Sequence, residues 1–466
     1  MRRALAVVAM TAVLAAACTS SGDEGTADEA ATESSTTAAP ASTLANTATT
    51  AAPDGGDGTD ATSQPSLTAT ARGVTADTIT LAVAQLDLDL IRQAGLAQVN
   101  HGDYELIWNT LVDDVNARGG INGRQLQLLY ETYDVLVPAE QEALCVKFTE
   151  DEEVFALLAG MREDNIYCVT EQHETISVGN SGINQERIDR SQGRLVTPET
   201  VAERGIDTTV AAFVEAGVLD GDVIAVHGAS GSADDIDTME AALLDSGLDV
   251  ALTTVTDVPP GDVEAGNQQF AAFAERYESE GVTAVVMVGA VTTVLDGVAA
   301  AGLDVELYSD ITRSGDVSGA GRDRPEETRG TIAVRPAAPE GPEQMADPLL
   351  AECIDTFRAA NPDIEVAEMR SVEPGDPDWA IGIRIACQHL RLFELAATAA
   401  GPDLTNETFL AAVEGLGDIE LPALPFVSFG AGKLDGNDTA VLAEFDPDFG
   451  PSGGYVAISD LIDTTP

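Results

Sequence analysis

Four polar side chains follow short apolar runs that have the length and composition of buried strands: Gln85, Arg162, Asn180 and Ser181. Helices and strands alternate along the chain, which is typical of a parallel sheet, and ligands bind such sheets at the carboxyl ends of the strands. We therefore expect these four side chains to lie on one rim. An arginine among neutral hydrogen-bonding groups is suited to an anionic group of a small molecule.

Two residues of this rim have competing interpretations. Arg162 binds the anionic group of a ligand, or it forms a salt bridge with neighbouring Glu163 or Asp164. His227 also ends a predicted strand at the rim, but a core histidine with satisfied ring nitrogens fits the same pattern. The sequence leaves both questions open.

The sequence has no signature of catalysis, of a metal centre or of a bound nucleotide. It contains no HExxH, Walker lysine or Cys-x-x-Cys motif, no acidic loop with calcium spacing, and four histidines that are far apart. Residues 228–232 form a glycine-containing turn that precedes a helix, but their spacing is not that of a dinucleotide site. We expect no enzyme activity, no cofactor and no metal.

Net charge restricts the partners of the protein. The 466 residues include 79 acidic and 23 basic ones, which gives a formal net charge of −56, and Lys147 and Lys433 are the only lysines. Such a chain is repelled by nucleic acid and by anionic lipid. A solvated acidic surface, as in proteins of salty habitats, is the simpler interpretation, and metal buffering is the alternative.

The N-terminus has the organisation of an exported lipoprotein. In residues 1–18, Arg2 and Arg3 precede an apolar run that is too short for a permanent membrane span. The run ends in a lipobox-like Leu-Ala-Ala-Ala-Cys, so we expect a lipid on Cys18 that anchors the protein to the outer face of the membrane; an ordinary Ala-x-Ala cleavage site is the alternative. Residues 19–72 are rich in Ala, Thr, Ser and Asp and predict a disordered tether.

Cysteine usage supports export to an oxidising compartment. Four cysteines remain after Cys18, and they allow three pairings. The local pairs are Cys145 with Cys168 and Cys353 with Cys387. Our hypothesis is that both of these disulfides form.

The helices and strands that position the rim begin near Gly73. Apolar residues from Tyr104 to Val115 recur with helical period, Gly119 and Gly120 end that helix, and a strand starts at Gln125. The other predicted strands are Ile79–Ala84, Val154–Ala159, Thr175–Val178, Asp222–His227, Asp249–Thr256, Ala284–Val288, Glu306–Tyr308, Thr331–Val334 and, as the last, Leu442–Phe445. The other predicted helices are Glu140–Phe148, Asp237–Ser246, Glu264–Ser279, Pro348–Ala359, Asp378–Ala400 and Thr405–Glu414, the last without a full capping box.

Two segments resemble those of a known family. Val115–Arg124, which reads Val-Asn-Ala-Arg-Gly-Gly-Ile-Asn-Gly-Arg, resembles a signature of type I periplasmic binding proteins of the branched-chain amino acid group. Val427–Asp438 resembles the closing segment of the same family. The resemblance implies an α/β fold of two lobes, each a mostly parallel sheet with helices on both faces, and a three-stranded hinge. The lobes would comprise residues 73–197 with 336–436 and residues 198–335 with 437–466.

The resemblance also implies a function and further site residues. It implies a monomeric solute-binding subunit that delivers an amino acid, or a related amide or amine, to an ABC permease. Asp310 would hold the ligand ammonium, unless it is a solvated loop aspartate, and the pair Cys145–Cys168 recurs in the family. Residues 85–90 depart from the family's Ser/Thr- and Gly-containing ligand loop. A ligand-sensing receptor that is not coupled to transport is the alternative function.

Overall fold

A computed structural model describes residues 67–93, 100–134, 137–161, 163–179, 183–258, 263–312, 314–315, 317, 325–451 and 453–466. The predicted signal and all but the last residues of the predicted tether lie outside this range. No helix of the described residues has both the length and the apolar character needed to cross a bilayer.

The described elements alternate between strands and helices over most of the chain. The strands are β1 (Thr78–Leu86), β2 (Gln125–Tyr133), β3 (Ala156–Leu158), β4 (Ile176–Val178), β5 (Leu195–Val196), β6 (Val223–Ala229), β7 (Asp249–Thr256), β8 (Ala284–Val288), β9 (Glu306–Ser309), β10 (Ile332–Arg335), β11 (Gly417–Leu421), β12 (Leu424–Phe429), β13 (Thr439–Asp446), β14 (Gly454–Ala457) and β15 (Ile462–Asp463). The helices are α1 (Leu88–Gln93), α2 (Tyr104–Ala117), α3 (Pro138–Val146), α4 (Gln185–Arg190), α5 (Ala202–Ala216), α6 (Ala233–Asp245), α7 (Val263–Glu280), α8 (Val291–Ala301), α9 (Pro325–Thr328), α10 (Pro342–Met345), α11 (Pro348–Ala360), α12 (Trp379–Ala400) and α13 (Asn406–Glu414).

Two sheets define two lobes. The first lobe has five parallel strands in the order β2-β1-β3-β4-β5. In the second lobe, β6 to β10 are parallel, β13 pairs antiparallel with β10, and β14 and β15 pair antiparallel with β13. The central strands β3, β4 and β8 are buried at every position, as expected where helices cover both faces of a sheet.

The apolar cores of the lobes are separate. One cluster covers the first lobe and includes Trp108 on α2, and its aromatic centre joins Phe155 to Phe393 on α12 and Phe409 on α13, with ring centroids 5.5–6.2 Å apart. The second lobe has one cluster on each face of its sheet, and these contain Phe270 and Phe213 respectively. Two independently packed bodies can therefore move relative to each other without breaking either core.

The signature segment, Val115–Arg124, connects α2 to β2 and fixes their relative position. The side-chain amide of Asn116 donates to the carbonyl of Leu126 at 2.9 Å and accepts from its N–H at 2.7 Å, which fixes the end of α2 against β2. Gly120 has φ of +70°, and a Cβ there would lie 1.9 Å from the carbonyl oxygen of Arg124, so only glycine fits. Arg124 is 1% exposed and donates to the carbonyls of Thr68, Thr75 and Pro402.

The three crossovers between the lobes meet at Asn437. Its side chain donates to the carbonyl of Pro336 at 2.9 Å, and its own carbonyl accepts from Thr200 at 2.8 Å. Thr197 pairs with Asp435 as a parallel bridge. The three crossovers are therefore hydrogen-bonded to one another as well as to the lobes they connect.

Several elements differ from the sequence prediction. Residues 88–90 start helix α1 rather than continuing a loop, and the prediction omitted α5 and the hairpin β11–β12, whose strands are short and lie in a separate two-stranded sheet. The prediction that α13 lacks a full capping box was wrong, because the hydroxyl of Thr408 replaces the usual Glu or Gln and accepts from the backbone of Thr405. Strand β13 is longer than predicted and is not the last strand.

Both local cysteine pairs are joined. The Cα–Cα distance is 6.2 Å for Cys145–Cys168 and 6.5 Å for Cys353–Cys387. The first bridge connects α3 to the segment that follows β3, and the second connects α11 to α12.

We predict that these cysteines are oxidised in the mature protein, so alkylation without reductant should label none of them in mass spectrometry. The double variant Cys353→Ala/Cys387→Ala should lose about 3–4 kcal/mol of unfolding free energy in urea titrations, since its loop has 34 residues. Labelling of all four cysteines before reduction would contradict the pairing.

Candidate functional site

A cavity of about 380 Å³ lies between the two lobes, beside the crossovers. Its wall combines residues of the first lobe, of the second lobe and of the connecting segments. Among them are Ile183, Glu199, Thr200, Gly205, Ile311, Thr312, Arg335, Glu340, Arg384, Gln388, Leu424 and Asn437. Since the wall is shared, the cavity changes shape whenever the lobes move.

Arg335, Glu340 and Arg384 line the cavity and belong to a cluster of charged side chains. One carboxylate oxygen of Glu340 accepts from Arg370 at 3.0 and 3.2 Å and from Arg335 at 3.4 Å, and the other lies 3.6 Å from a guanidinium nitrogen of Arg384. Burial would raise the pKa of Glu340, but the three positive charges outweigh it and hold the pKa well below its ordinary value. Glu340 is therefore ionised at neutral pH, and we call these four residues the Glu340 cluster.

The pKa of His101 is affected by the positive charges of the same cluster. Burial lowers its pKa, and the charges of Arg384 and Arg370 lower it further, to about 4. Its Nδ1 lies 2.8 Å from the hydroxyl of Tyr104. At neutral pH His101 is uncharged and adds nothing to the charge of the cluster.

Local structure fixes the two arginines that line the cavity. Arg335 is the last residue of β10; its guanidinium lies 4.6 Å from the ring centroid of Tyr455 and donates to the hydroxyl of Ser314 at 3.1 Å. Arg384 is on the first turns of α12, one turn before Gln388, so both project from the same face of that helix.

A second charged network holds the hinge. Arg204 on α5 contacts Asp435 at 2.6 Å and Asp438 at 2.9 Å, and Lys433 lies 3.2 Å from Asp438. Asp438 is fully buried and also accepts from the hydroxyl of Ser428. Burial, together with the charge of Arg204, lowers the pKa of Lys433 despite the two aspartates.

The structure locates only some of the predicted rim residues. Arg162, Asn180 and Ser181 lie outside the described residues, as does the predicted lipidation site Cys18. Gln85 is in β1 near its carboxyl end and is 8% exposed; it does not line the cavity. Ile183, which follows the Asn180–Gly182 segment, does line it.

His227 lies in the interior of the second lobe. It is fully buried; its Nδ1 is 2.8 Å from the hydroxyl of Thr254 and its Nε2 is 2.9 Å from that of Thr256. Phe270 and Phe273 flank its ring at 5.4 and 5.5 Å. This is the environment of a core histidine, and burial lowers its pKa to about 4.

Asp310 is buried next to the cavity rather than solvated. It is 1% exposed and accepts from the backbone N–H and the hydroxyl of Thr312, the N–H at 2.7 Å. Its two successors, Ile311 and Thr312, line the cavity. A ligand role for Asp310 stays a prediction.

Among the described residues, Cys145, Cys168 and His173 are near enough to one another to hold a metal ion, but both sulfurs belong to a disulfide.

Sequence reasoning missed the Glu340 cluster. Its members are spread over 50 positions, and no spacing rule connects them. One signal was available in Arg384, a charged residue between Ile383 and Ile385 in the apolar first half of a long helix.

The fold and the shared cavity define a two-lobed binding protein, and the comparisons with known proteins agree. A family model described as periplasmic binding protein matches residues 108–447. The chain belongs to this periplasmic binding protein family, which implies an extracytoplasmic location. No curated protein matches the sequence.

Solved structures similar to this chain are substrate-binding proteins of ABC transporters. One from Desulfitobacterium hafniense in complex with Leu is 13% identical, with a TM-score of 0.58, and the match covers 82% of this chain and 100% of that one. A leucine-, isoleucine-, valine-, threonine- and alanine-binding protein from Brucella ovis, in a closed conformation, is 16% identical (TM-score 0.57; 83% and 96% covered). A solute-binding protein from R. palustris in complex with 4-hydroxybenzoate is 17% identical (TM-score 0.56; 84% and 98% covered).

The buried state of His227 predicts a pH-dependent stability. Between pH 6.5 and about 4 the unfolded chain takes up a proton that the folded chain does not, so stability falls as the pH falls through this window. The stability advantage of the wild type over His227→Gln should therefore shrink by about 2–3 kcal/mol between pH 7 and pH 4.5 in urea titrations. Phe273→Leu, which alters the packing against the same ring without a titrating group, should show a constant difference.

The hinge network predicts a large cost for loss of one charge. Asp438→Asn removes the buried carboxylate that Lys433 faces and one of the two that Arg204 contacts, and it should destabilise the protein by about 3–5 kcal/mol. Asp446→Asn, whose partner Arg329 is largely exposed, should cost less than about 1 kcal/mol. Equal costs in chemical denaturation would show that the hinge does not depend on Asp438.

Proposed function

We propose that this protein is the solute-binding subunit of an ABC importer and that it closes its two lobes around a small solute. The lobes are residues 73–197 with 336–436 and residues 198–335 with 437–466. The observation that carries the proposal is the cavity whose wall belongs to both lobes in a chain of the periplasmic binding protein family. Closure excludes water and strengthens polar contacts, and a permease can then recognise the closed surface.

The solute is an amino acid or a related small amide or amine. A cavity of about 380 Å³ is in the range of small-molecule sites and suits a solute of this size. Two similar structures support the size class, since one has bound Leu and another has bound 4-hydroxybenzoate. No covalent chemistry is required of the side chains that line the cavity.

The mature chain is anchored by a lipid on Cys18 and acts as a monomer. The tether of residues 19–72 lets the folded body reach a permease while the anchor stays in the membrane. The acidic surface keeps the body away from anionic headgroups, so the lipid and not the protein surface carries the membrane attachment.

We predict that thermal-shift screening of the mature protein identifies the solute. The panel includes branched, polar and acidic amino acids, amides, polyamines and aromatic acids, each in low and high salt. A solute that binds only the folded state adds about 2.7 kcal/mol of stability at a hundredfold excess over Kd, which raises Tm clearly. The same solute should be taken up by cells only when the gene is present; binding without uptake would indicate a sensor instead.

A further inference from the structure

The Glu340 cluster has more positive than negative charge. Three guanidinium groups surround one carboxylate. Asp378 accepts the backbone N–H of Arg370 at 2.9 Å and faces that arginine rather than the cavity wall. Arg335, Arg384 and Glu340 are the members of the cluster that line the cavity, and Glu199 is the other charged residue of the described wall.

These two arginines also have hydrogen-bond donors that the protein does not use. The Nε atoms of Arg335 and Arg384 are buried, and neither has an acceptor in the part of the chain that the structure describes. The contact of Arg384 with Glu340, at 3.6 Å, is longer than a hydrogen bond. A buried charged donor without an acceptor is unfavourable, so a change in either side chain that brings its Nε into contact with an acceptor in the cavity is favoured.

The two guanidinium groups approach the cavity from different lobes. Arg384 comes from α12 of the first lobe, whereas Arg335 ends β10 of the second lobe at a crossover. Both are held within 3.6 Å of the same Glu340 carboxylate, so they lie close together. An anion between them would contact both lobes at once.

We propose that Arg335 and Arg384 bind a carboxylate of the solute, with Glu340 as the residue that positions them. The inference rests on the proposed function and makes its solute class narrower: the solute is a small organic acid, amino acids included, and an amide or amine without a carboxylate is not accepted. Planar guanidinium groups match the two oxygens of a carboxylate, whereas an amide offers them a single acceptor oxygen and no negative charge. The carboxylate also links the lobes, which favours closure.

The test uses matched acid and amide pairs on the mature protein. The probes are L-leucine with L-leucinamide and 4-hydroxybenzoate with 4-hydroxybenzamide, measured by calorimetry in wild type, Arg384→Gln and Arg335→Gln. The wild type should prefer the acid of at least one pair by roughly 10- to 100-fold, and each variant should reduce this preference to less than about threefold. Arg384→Lys should recover part of it, because the charge returns without the planar donor pair.

Arg391→Gln is the matched control. Arg391 is on the same helix, pairs with Glu394 at 3.1 Å and does not line the cavity. The Arg391→Gln variant should therefore prefer the acid over the amide as strongly as the wild type does. The acid-to-amide ratio separates recognition from folding, since a variant that is merely less stable changes both affinities alike. The Tm of each variant without solute verifies that it folds.

Two results would overturn the inference, and they are distinguishable. Equal binding of an acid and its amide by the wild type, or an unchanged ratio in both arginine variants, overturns the carboxylate site and leaves the solute-binding function intact. A wild type that binds none of the four probes and nothing in the wider panel overturns both the site and the proposed function.

Discussion

The arrangement of the lobes depends on buried ion pairs at the hinge. Asp435 and Asp438 lie on the third crossover, and Arg204 reaches them from the first helix of the second lobe. Because a buried carboxylate is stable only with close cationic and hydrogen-bonding partners, this geometry allows little variation. The crossovers themselves exchange hydrogen bonds through Asn437, so a bending motion must pivot about this point.

Some of the few basic residues of this acidic chain lie in its interior. The chain has two lysines, and one of them, Lys433, is half-buried in the hinge network. Arg124 is buried under the first lobe, and Arg335 and Arg384 line the cavity. Salt screens the carboxylates of the surface much more than it screens these interior pairs. Both the hinge and the proposed carboxylate site should therefore keep their interactions at ionic strengths at which surface charges no longer act.

The sequence was sufficient for most of the fold because the fold depends on local patterns. The apolar period of α2, the turn at Gly119–Gly120 and the buried run of β8 each carry their own signal. The hairpin β11–β12 was not predicted; its strands are short and belong to neither large sheet. The site was harder to predict: its charged residues come from a strand end, a loop and a helix, and only the tertiary fold brings them to one carboxylate. The position of His227 at a strand end was compatible with both a rim residue and a core histidine. Thr254 and Thr256 of the adjacent strand contact both of its ring nitrogens in the core, and the sequence of one strand does not show which strand lies beside it.

The hinge and the cavity share one strand, and this connection gives the binding site its mechanical effect. Strand β10 ends with Arg335 at the cavity, and the next residue, Pro336, accepts the hydrogen bond from Asn437 at the crossover. A ligand contact to the guanidinium of Arg335 is therefore only one residue away from the crossover contact between Pro336 and Asn437. A solute that contacts Arg335 and Arg384 together bridges residues of both lobes, so its binding favours the form in which the two lobes are held together. Glu340 keeps the two like charges near each other, so the proposed carboxylate site is formed before a solute arrives.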